Sequence, residues 1–347
     1  MSAFEVEELV IPTTVDASDA ADFVISADIR GDIERESYGT DDLRLSAEEL
    51  LPWFRDPKSP RRLFGVRVDG RLVARAMYDH LVDEPTTGWA HVGVLPPFRR
   101  RGIGQALAEA VEGIAREAGR SKLVAYAPSP DAPGPRIASP TGFGSVPAEN
   151  PEVRFLLGRG YRLEQVERFS RLPLPFTGAV PTPPDGYRLQ HWAGFTPDEW
   201  LEDMAQLYTR MSTDAPSAGL DEPEDVYTVD RVRVLEEEQA KSPLLPVTVA
   251  VEHVASGRLA GFSTLLVPRE PSRAVQQDDT LVLSEHRGHR LGMLLKLANL
   301  RHLELVHEGH PSVTTFNAEE NRFMLDINEA VGFVPLGHEG AWRLDLR

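Results

Sequence analysis

The chain has 347 residues and a formal net charge of −17 at pH 7, with 41% hydrophobic residues, 26% charged residues and no cysteine. This composition is typical of a soluble globular protein with room for two domains of ordinary size. The lack of cysteine excludes disulfides, zinc-thiolate sites and a thiol nucleophile. The negative charge disfavours nucleic acid and anionic membranes as partners, and no apolar segment is long enough to span a bilayer.

The N-terminal segment 1–20 has neither the basic region nor the apolar region of a secretory signal. We therefore expect a cytoplasmic protein, either a monomer or a homodimer, with no nucleic acid or membrane partner and no metal.

The first half of the chain begins its regular pattern with a β-hairpin over residues 61–80, which turns at Asp69-Gly70. A third strand follows in "WAHVGVL" (89–95), then a helix with apolar residues on one face, and a fourth strand over 122–127. This order of elements is typical of a mixed, mostly antiparallel sheet flanked by helices.

A segment rich in proline and glycine, "PLPFTGAVPTPPDG" (173–186), interrupts the pattern and predicts a semi-extended linker. We therefore divide the chain into an N-terminal domain over 1–175, a linker over 176–185 and a C-terminal domain over 186–347.

The second half repeats the pattern of the first. A hairpin around 255–257 precedes a strand over 278–283, a helix within 284–300 and a further strand over 312–316. When Arg99 is aligned with Arg287, several other pairs fall into register: Val94 with Val282, Gly104 with Gly292, and His91 with Asp279. We interpret the chain as a tandem duplication.

Positive charge and glycine are concentrated where the first of these helices begins, in "RRRGIG" (99–104). A helix N-terminus offers unpaired amide donors and the positive end of the macrodipole, and glycine lets a ligand approach the backbone. Such an entrance favours a phosphate group. The spacing does not match a Walker P-loop, and the preceding antiparallel strands argue against a dinucleotide-binding Rossmann unit.

The longer string "VLPPFRRRGIG" (94–104) resembles the acyl-CoA-binding motif of the GCN5-related N-acetyltransferase (GNAT) superfamily. The segment 317–337, with its Asn residues and Gly332-Phe333, is similar to a later motif of the same superfamily. The resemblance implies an α/β (α+β) fold of two tandem GNAT-like domains, of the type found in actinobacteria. It also implies acyl-CoA binding by the following residues: Val94, Leu95, Arg99, Arg100, Arg101, Gly102, Gly104, Val282, Arg287, Gly288, His289, Arg290, Gly292, Asn317 and Asn321.

The implied reaction moves an acetyl group from acetyl-CoA to the amine of a small molecule by direct attack, which requires a base for the ammonium proton. Asp279 and His91 are our candidate bases, and the neighbouring Asp278 would raise the pKa of Asp279.

Two positions depart from the family pattern. Arg290 replaces the first glycine of the motif in the second half, and the tyrosine that often protonates the leaving thiolate is replaced by Leu156 and Asn328. A non-catalytic acyl-CoA-binding sensor with the same fold is therefore the alternative function.

Overall fold

The computed structural model describes residues 4–214 and 216–346. In that part, the strands in chain order are β1 (Glu7–Leu9), β2 (Arg61–Val68), β3 (Arg71–Asp79), β4 (Thr87–Val94), β5 (Lys122–Pro128), β6 (Arg136–Ala138), β7 (Ser145–Pro147), β8 (Arg162–Pro173), β9 (Tyr187–Ala193), β10 (Leu244–His253), β11 (Arg258–Pro268), β12 (Val275–Val282), β13 (Ser312–Ala318) and β14 (Val334–Asp345). The α-helices are α1 (Ala21–Tyr38), α2 (Ala47–Leu50), α3 (Ile103–Glu117), α4 (Pro151–Gly158), α5 (Leu201–Asp214), α6 (Val229–Gln239), α7 (Leu291–Val306) and α8 (Arg322–Val331).

The hairpins and helices predicted from local pattern are confirmed in both halves. Strands β2 and β3 are joined at Asp69 and Gly70, which have φ of 50° and 79°. Two successive left-handed residues match the right-handed twist of the flanking strands, so this short turn fixes their register. Helix α8 begins where the Asn321 side chain accepts a hydrogen bond from the Met324 amide, and it ends at left-handed Gly332.

The strands form one continuous twelve-stranded sheet in the order β1-β2-β3-β4-β5-β14-β8-β13-β12-β11-β10-β9, with β6 and β7 as a separate pair. All neighbours are antiparallel except β4 with β5 and β12 with β13. The predicted class, a mixed and mostly antiparallel sheet in each of two tandem halves, is confirmed.

The final strand of each half pairs with the other half. Strand β14, at the end of the chain, lies between β5 and β8 of the first half, and β8 pairs on its other edge with β13 of the second half. Trp342 on β14 is fully buried in the first-half core. The sequence pattern did not predict this exchange, and whether 1–175 and 186–347 are independent domains stays a prediction.

Helices cover both faces of the sheet. In the first half, α3 packs Leu107 and Val111 on one face, and α1 packs Phe23 and Ala27 on the other. In the second half, α7 and α5 have the corresponding positions on opposite faces. No helix in the described part of the chain is both long enough and apolar enough to cross a membrane.

Candidate functional site

The first helix entrance leaves a row of backbone amides free. Helix α3 makes its first backbone hydrogen bond from the Ala106 amide to the Gly102 carbonyl, at 3.0 Å. Within the described residues, the amides of 100–105 donate to no protein acceptor. These donors and the positive end of the α3 macrodipole converge on one point, which is the physical requirement for an anion site.

The second entrance has the same construction. The Leu294 amide donates to the Arg290 carbonyl at 3.2 Å, and the amides of 288–293 have no acceptor in the described structure. Both entrances therefore have free backbone amides at the positions where the sequence predicts a diphosphate, and the binding of a diphosphate there stays a prediction.

The aligned arginines have the same contacts in the two halves. Arg99 Nε donates to the Val94 carbonyl at 2.8 Å, and Arg287 Nε donates to the Val282 carbonyl at 3.1 Å. Arg99 also pairs with Glu36 on α1, and Arg287 pairs with a carboxylate at the end of α5. Each guanidinium group therefore links the end of a strand to the loop before the helix. A contact between this group and a ligand would be made in addition to the hydrogen bond and the ion pair within the protein.

The remaining charged groups at the entrances are exposed. Arg101 donates to the Pro97 carbonyl at 3.1 Å and lies over the Phe98 ring, whereas Arg100 extends into solvent. His289 and Arg290 are exposed at the second entrance. Nothing within 4 Å fills the space beside Gly102, so a ligand has room to approach that backbone.

A gap opens in the sheet beside each entrance. Strand β4 pairs with β5 only over Thr87–Trp89, and β12 pairs with β13 only over Val275 and Gln276. Beyond these points, the facing edges of the two strand pairs have no ladder hydrogen bonds to each other, although the Val94 and Val282 carbonyls accept from the aligned arginines. This is the separation that the GNAT resemblance implies for the pantetheine arm.

The side chains of the two predicted residues beside the first gap, Val94 and Leu95, have different orientations. Val94 lies 3.6 Å from the position that a Cβ on Gly104 would have, so its side chain faces the helix entrance. Leu95 does not face the gap with its side chain, because that side chain is buried in the core beneath α1 and its amide donates to the Val73 carbonyl. In the second half, the corresponding space beside Gly292 is limited by Ile327 at 3.1 Å.

The two predicted asparagines are both engaged within the protein. Asn321 caps α8, and Asn317 Oδ1 accepts a hydrogen bond of 2.6 Å from Asn328 Nδ2. The Oδ1 atom of Asn328 is buried without a partner. Leu156, the other position where a catalytic tyrosine was absent, is buried in the first-half core.

A cavity of about 860 Å³ lies on the α5 and α6 face of the second half. The register between β11 and β12 shifts between Ser263 and Leu265, so that Asp278 and Asp279 together oppose a single residue. This bulge directs both carboxylates into the cavity, although strict alternation would send them to opposite faces. The cavity has aromatic walls, formed by Trp53, Trp192, Phe195, Tyr208 and Tyr227.

The environment of the aspartate pair favours a shared proton. Asp278 is exposed at the cavity surface and Asp279 is half-buried, and desolvation of Asp279 together with the negative charge of Asp278 raises the pKa of Asp279. The pKa of the Tyr208 phenol is raised by burial and by the same two carboxylates, so Tyr208 stays protonated at neutral pH and is a weaker acid than a free phenol. The cavity thus contains a carboxylate base and a neutral phenol.

A second cavity, of about 470 Å³, lies between α1 and the sheet in the first half. His91 lines it, and the Nδ1 atom of His91 is buried without a partner. Burial and the nearby Arg75 and Arg30 lower the pKa of His91 to about 3. An imidazole with so low a pKa is neutral at pH 7 and takes up a proton poorly.

Sequence reasoning missed several residues that line these cavities. Trp53 and Arg61, both from the first half, line the two cavities, and Tyr208 was not singled out. Arg75 was also missed, although one arginine within the apolar strand "LVARAMY" (72–78) was a usable signal. The long-range packing that brings these side chains together has no signature in local pattern.

Comparison with known proteins supports the same interpretation. Residues 28–133 match the model of the acetyltransferase (GNAT) family. A tandem GNAT protein from the clavulanic acid biosynthesis pathway has a similar structure, with a TM-score of 0.75, 25% identity and coverage of 99% of both chains. A GCN5-related N-acetyltransferase from Sphaerobacter thermophilus has a TM-score of 0.64 at 17% identity, covering 99% of this chain and 96% of that chain. No match was found among curated protein sequences.

The family match covers one stretch of the first half, and the structural match extends over both halves. Residues 28–133 therefore match the GNAT acetyltransferase family, and the chain as a whole has a fold similar to that of a tandem GNAT protein.

Proposed function

We propose that the protein is an acyl-CoA-dependent N-acyltransferase that moves an acetyl group from acetyl-CoA to the amine of a small molecule. The observation that carries this proposal is the gap between β4 and β5, and between β12 and β13, each beside a helix entrance with free amides. The family match and the fold support acyltransfer in general, and the cavity chemistry supports an amine acceptor.

Each half has the parts needed to hold the donor. The amides of 100–105, or of 288–293, supply hydrogen bonds to a diphosphate, and the exposed Arg100 and Arg290 supply charge. The unpaired edge of β4 or β12 offers backbone groups to the pantetheine amides, as a neighbouring strand would.

We assign the transfer step to the second half. Asp279 takes a proton from the acceptor ammonium, the free amine attacks the thioester carbonyl, and the carbon–sulfur bond breaks to release the thiol of CoA. Unpaired N–H groups on β12 stabilise the oxyanion, and solvent water supplies the proton that the leaving thiolate takes up. His91, the other candidate base, has the disadvantage of its low pKa.

Acetyl-CoA binding and turnover test the proposal separately. We expect saturating acetyl-CoA to raise the melting temperature, and an amine panel to reveal release of free thiol. Arg99→Glu and Arg287→Glu, made separately, show which half binds the donor, with Glu36→Gln as the control for the loss of the Arg99 ion pair. An unchanged melting temperature with saturating acetyl-CoA contradicts the proposal.

A second candidate function is an acyl-CoA sensor without turnover. The observation that favours it is the chemistry of Leu156 and Asn328, neither of which can donate a phenolic proton. A sensor shows the melting shift with acetyl-CoA but releases no thiol with any amine of the panel.

A further inference from the structure

Three arginines line the first-half cavity, and two of them are paired with acids. Arg30 pairs with Glu34 at 2.7 Å, and Arg61 pairs with Asp79 at 3.6 Å. Arg75 has no ion pair and no hydrogen bond to any described residue. The acid that acts on its charge is Glu34, which is already paired with Arg30, so the Arg75 guanidinium has no direct partner of its own among the described residues.

Arg75 is also deeply buried. It lies on β3 opposite Gly93 of β4, beside the gap between β4 and β5, and it is only 4% exposed. Burial and the charge of Arg30 lower the pKa of Arg75 to about 10, which leaves it protonated at neutral pH. A buried guanidinium without a partner is costly, because it loses water and gains no hydrogen bond in exchange.

Other polar atoms around the same cavity also lack partners. They are Arg30 Nη1, Glu34 Oε2, Asp79 Oδ1 and His91 Nδ1. The acid Glu339 lines the cavity and accepts a hydrogen bond from the Tyr38 hydroxyl. So many unpaired donors and acceptors around one space of about 470 Å³ indicate a polar occupant.

The positive and negative side chains around the cavity limit the chemical groups that the occupant can carry. A planar guanidinium suits the two oxygens of a carboxylate. A phosphate dianion fits poorly, because Glu34, Asp79 and Glu339 line the same cavity and would repel it. A ligand with one carboxylate and one amine pairs its carboxylate with an arginine of the cavity and its amine with an acid of the cavity.

We infer that the first-half cavity binds a small molecule through a carboxylate on Arg75. The carboxylate belongs either to an amino-acid-like ligand or to an acyl group that ends in a carboxylate. The inference rests on the proposed function only in that a carboxylate-bearing acyl group would belong to an acyl-CoA held in the first half; the binding itself requires no turnover.

The second half has no counterpart of this arginine. In the alignment of the two halves, Phe262 of β11 stands at the position of Arg75, opposite Leu281 of β12. Phe262 is fully buried against the Tyr208 ring. The two cavities therefore differ at this position, where one has a buried guanidinium and the other a buried aromatic ring.

The first test uses the stability of the ligand-free protein. Arg75→Met removes a buried charge that has no direct partner and keeps most of the side-chain volume, so we expect the melting temperature to rise. The matched control is Arg159→Met, because Arg159 is paired with Glu112 by two hydrogen bonds, and we expect its melting temperature to fall. A lower melting temperature for Arg75→Met would mean that Arg75 is structural and would overturn the inference.

The second test compares ligands that differ only in a carboxylate, without acetyl-CoA present. Calorimetry with glycine and methylamine, phenylalanine and phenethylamine, and lysine and cadaverine should show a preference of at least about tenfold for the carboxylate in the wild-type protein. Arg75→Met should abolish this preference, and Arg75→Lys should keep part of it.

A third measurement distinguishes the two sources of the carboxylate. If the carboxylate is on the acyl group, the dependence on Arg75 appears with malonyl-CoA relative to acetyl-CoA, and not with the amino acids. If neither series depends on Arg75, the inference is wrong. Because the amino acid series omits acetyl-CoA, its failure is independent of any failure of the proposed function.

Discussion

Gly102 and Arg290 have the same left-handed backbone position immediately before α3 and α7, with φ of 90° and 59°. Two residues earlier the assignment is reversed, because Arg100 has φ of 61° and Gly288 has φ of 86°. Each entrance thus contains two left-handed residues, of which one is glycine and one is arginine. An arginine in this conformation carries a steric cost that glycine avoids.

Replacement of Arg290 distinguishes the steric cost of its left-handed backbone from the contribution of its guanidinium to ligand binding. We expect Arg290→Gly to increase the free energy of unfolding by up to about 1 kcal/mol, because the left-handed strain at 290 is relieved. If the guanidinium binds a diphosphate, the same variant loses part of the melting shift that acetyl-CoA produces. Arg100→Gly is the matched variant at the first entrance, and urea unfolding measures both. A less stable Arg290→Gly protein would contradict the strain argument.

Removal of the proposed base should affect turnover and not donor binding. We expect Asp279→Asn to lower kcat by about 100-fold or more, because general base catalysis contributes roughly that much. The melting shift with acetyl-CoA should stay the same. Asp230→Asn, at an exposed position on α6, is the control and should keep full activity. An Asp279→Asn protein with normal thiol release would remove Asp279 from the mechanism.

The neighbouring aspartate should set the pH at which Asp279 works. The negative charge of Asp278 raises the pKa of Asp279. Asp278→Asn removes that charge, so the pKa of Asp279 falls and the acidic limb of the kcat/KM profile moves to lower pH. The profile is measured by thiol release between pH 5 and 9, with Asp230→Asn again as control. A limb that stays in place or moves to higher pH would show that the two carboxylates do not interact.

The exchange of strands makes each half dependent on the other. Without β14, strand β5 has an unpaired edge and the first-half core lacks Trp342. We therefore expect residues 1–175 and 176–347 to fail to fold when expressed apart and to form a folded complex when expressed together. Circular dichroism and size-exclusion chromatography measure this. Cooperative unfolding of 1–175 alone would support the two-domain division predicted from the sequence.

Much of the fold was predictable because it depends on residues near each other in the chain. The turn at Asp69-Gly70 and the glycine and arginine residues before α3 follow from backbone preferences. The alignment of Arg99 with Arg287 predicted a shared role, and both arginines donate to the carbonyl of the aligned valine. The bulge at Asp278 and Asp279 was not predicted, because a register shift depends on the partner strand.

The sequence alone determined the repeated hairpins, the two helix entrances and the family resemblance, because each depends on periodicity or on a short string of residues. Only the tertiary structure decided that β8 and β14 exchange places, that Asp278 and Asp279 share a cavity, and that Arg75 has no partner. These properties depend on which distant segments meet. The free energy of such contacts comes from burial and pairing across the sheet, and no local pattern encodes the identity of the partner.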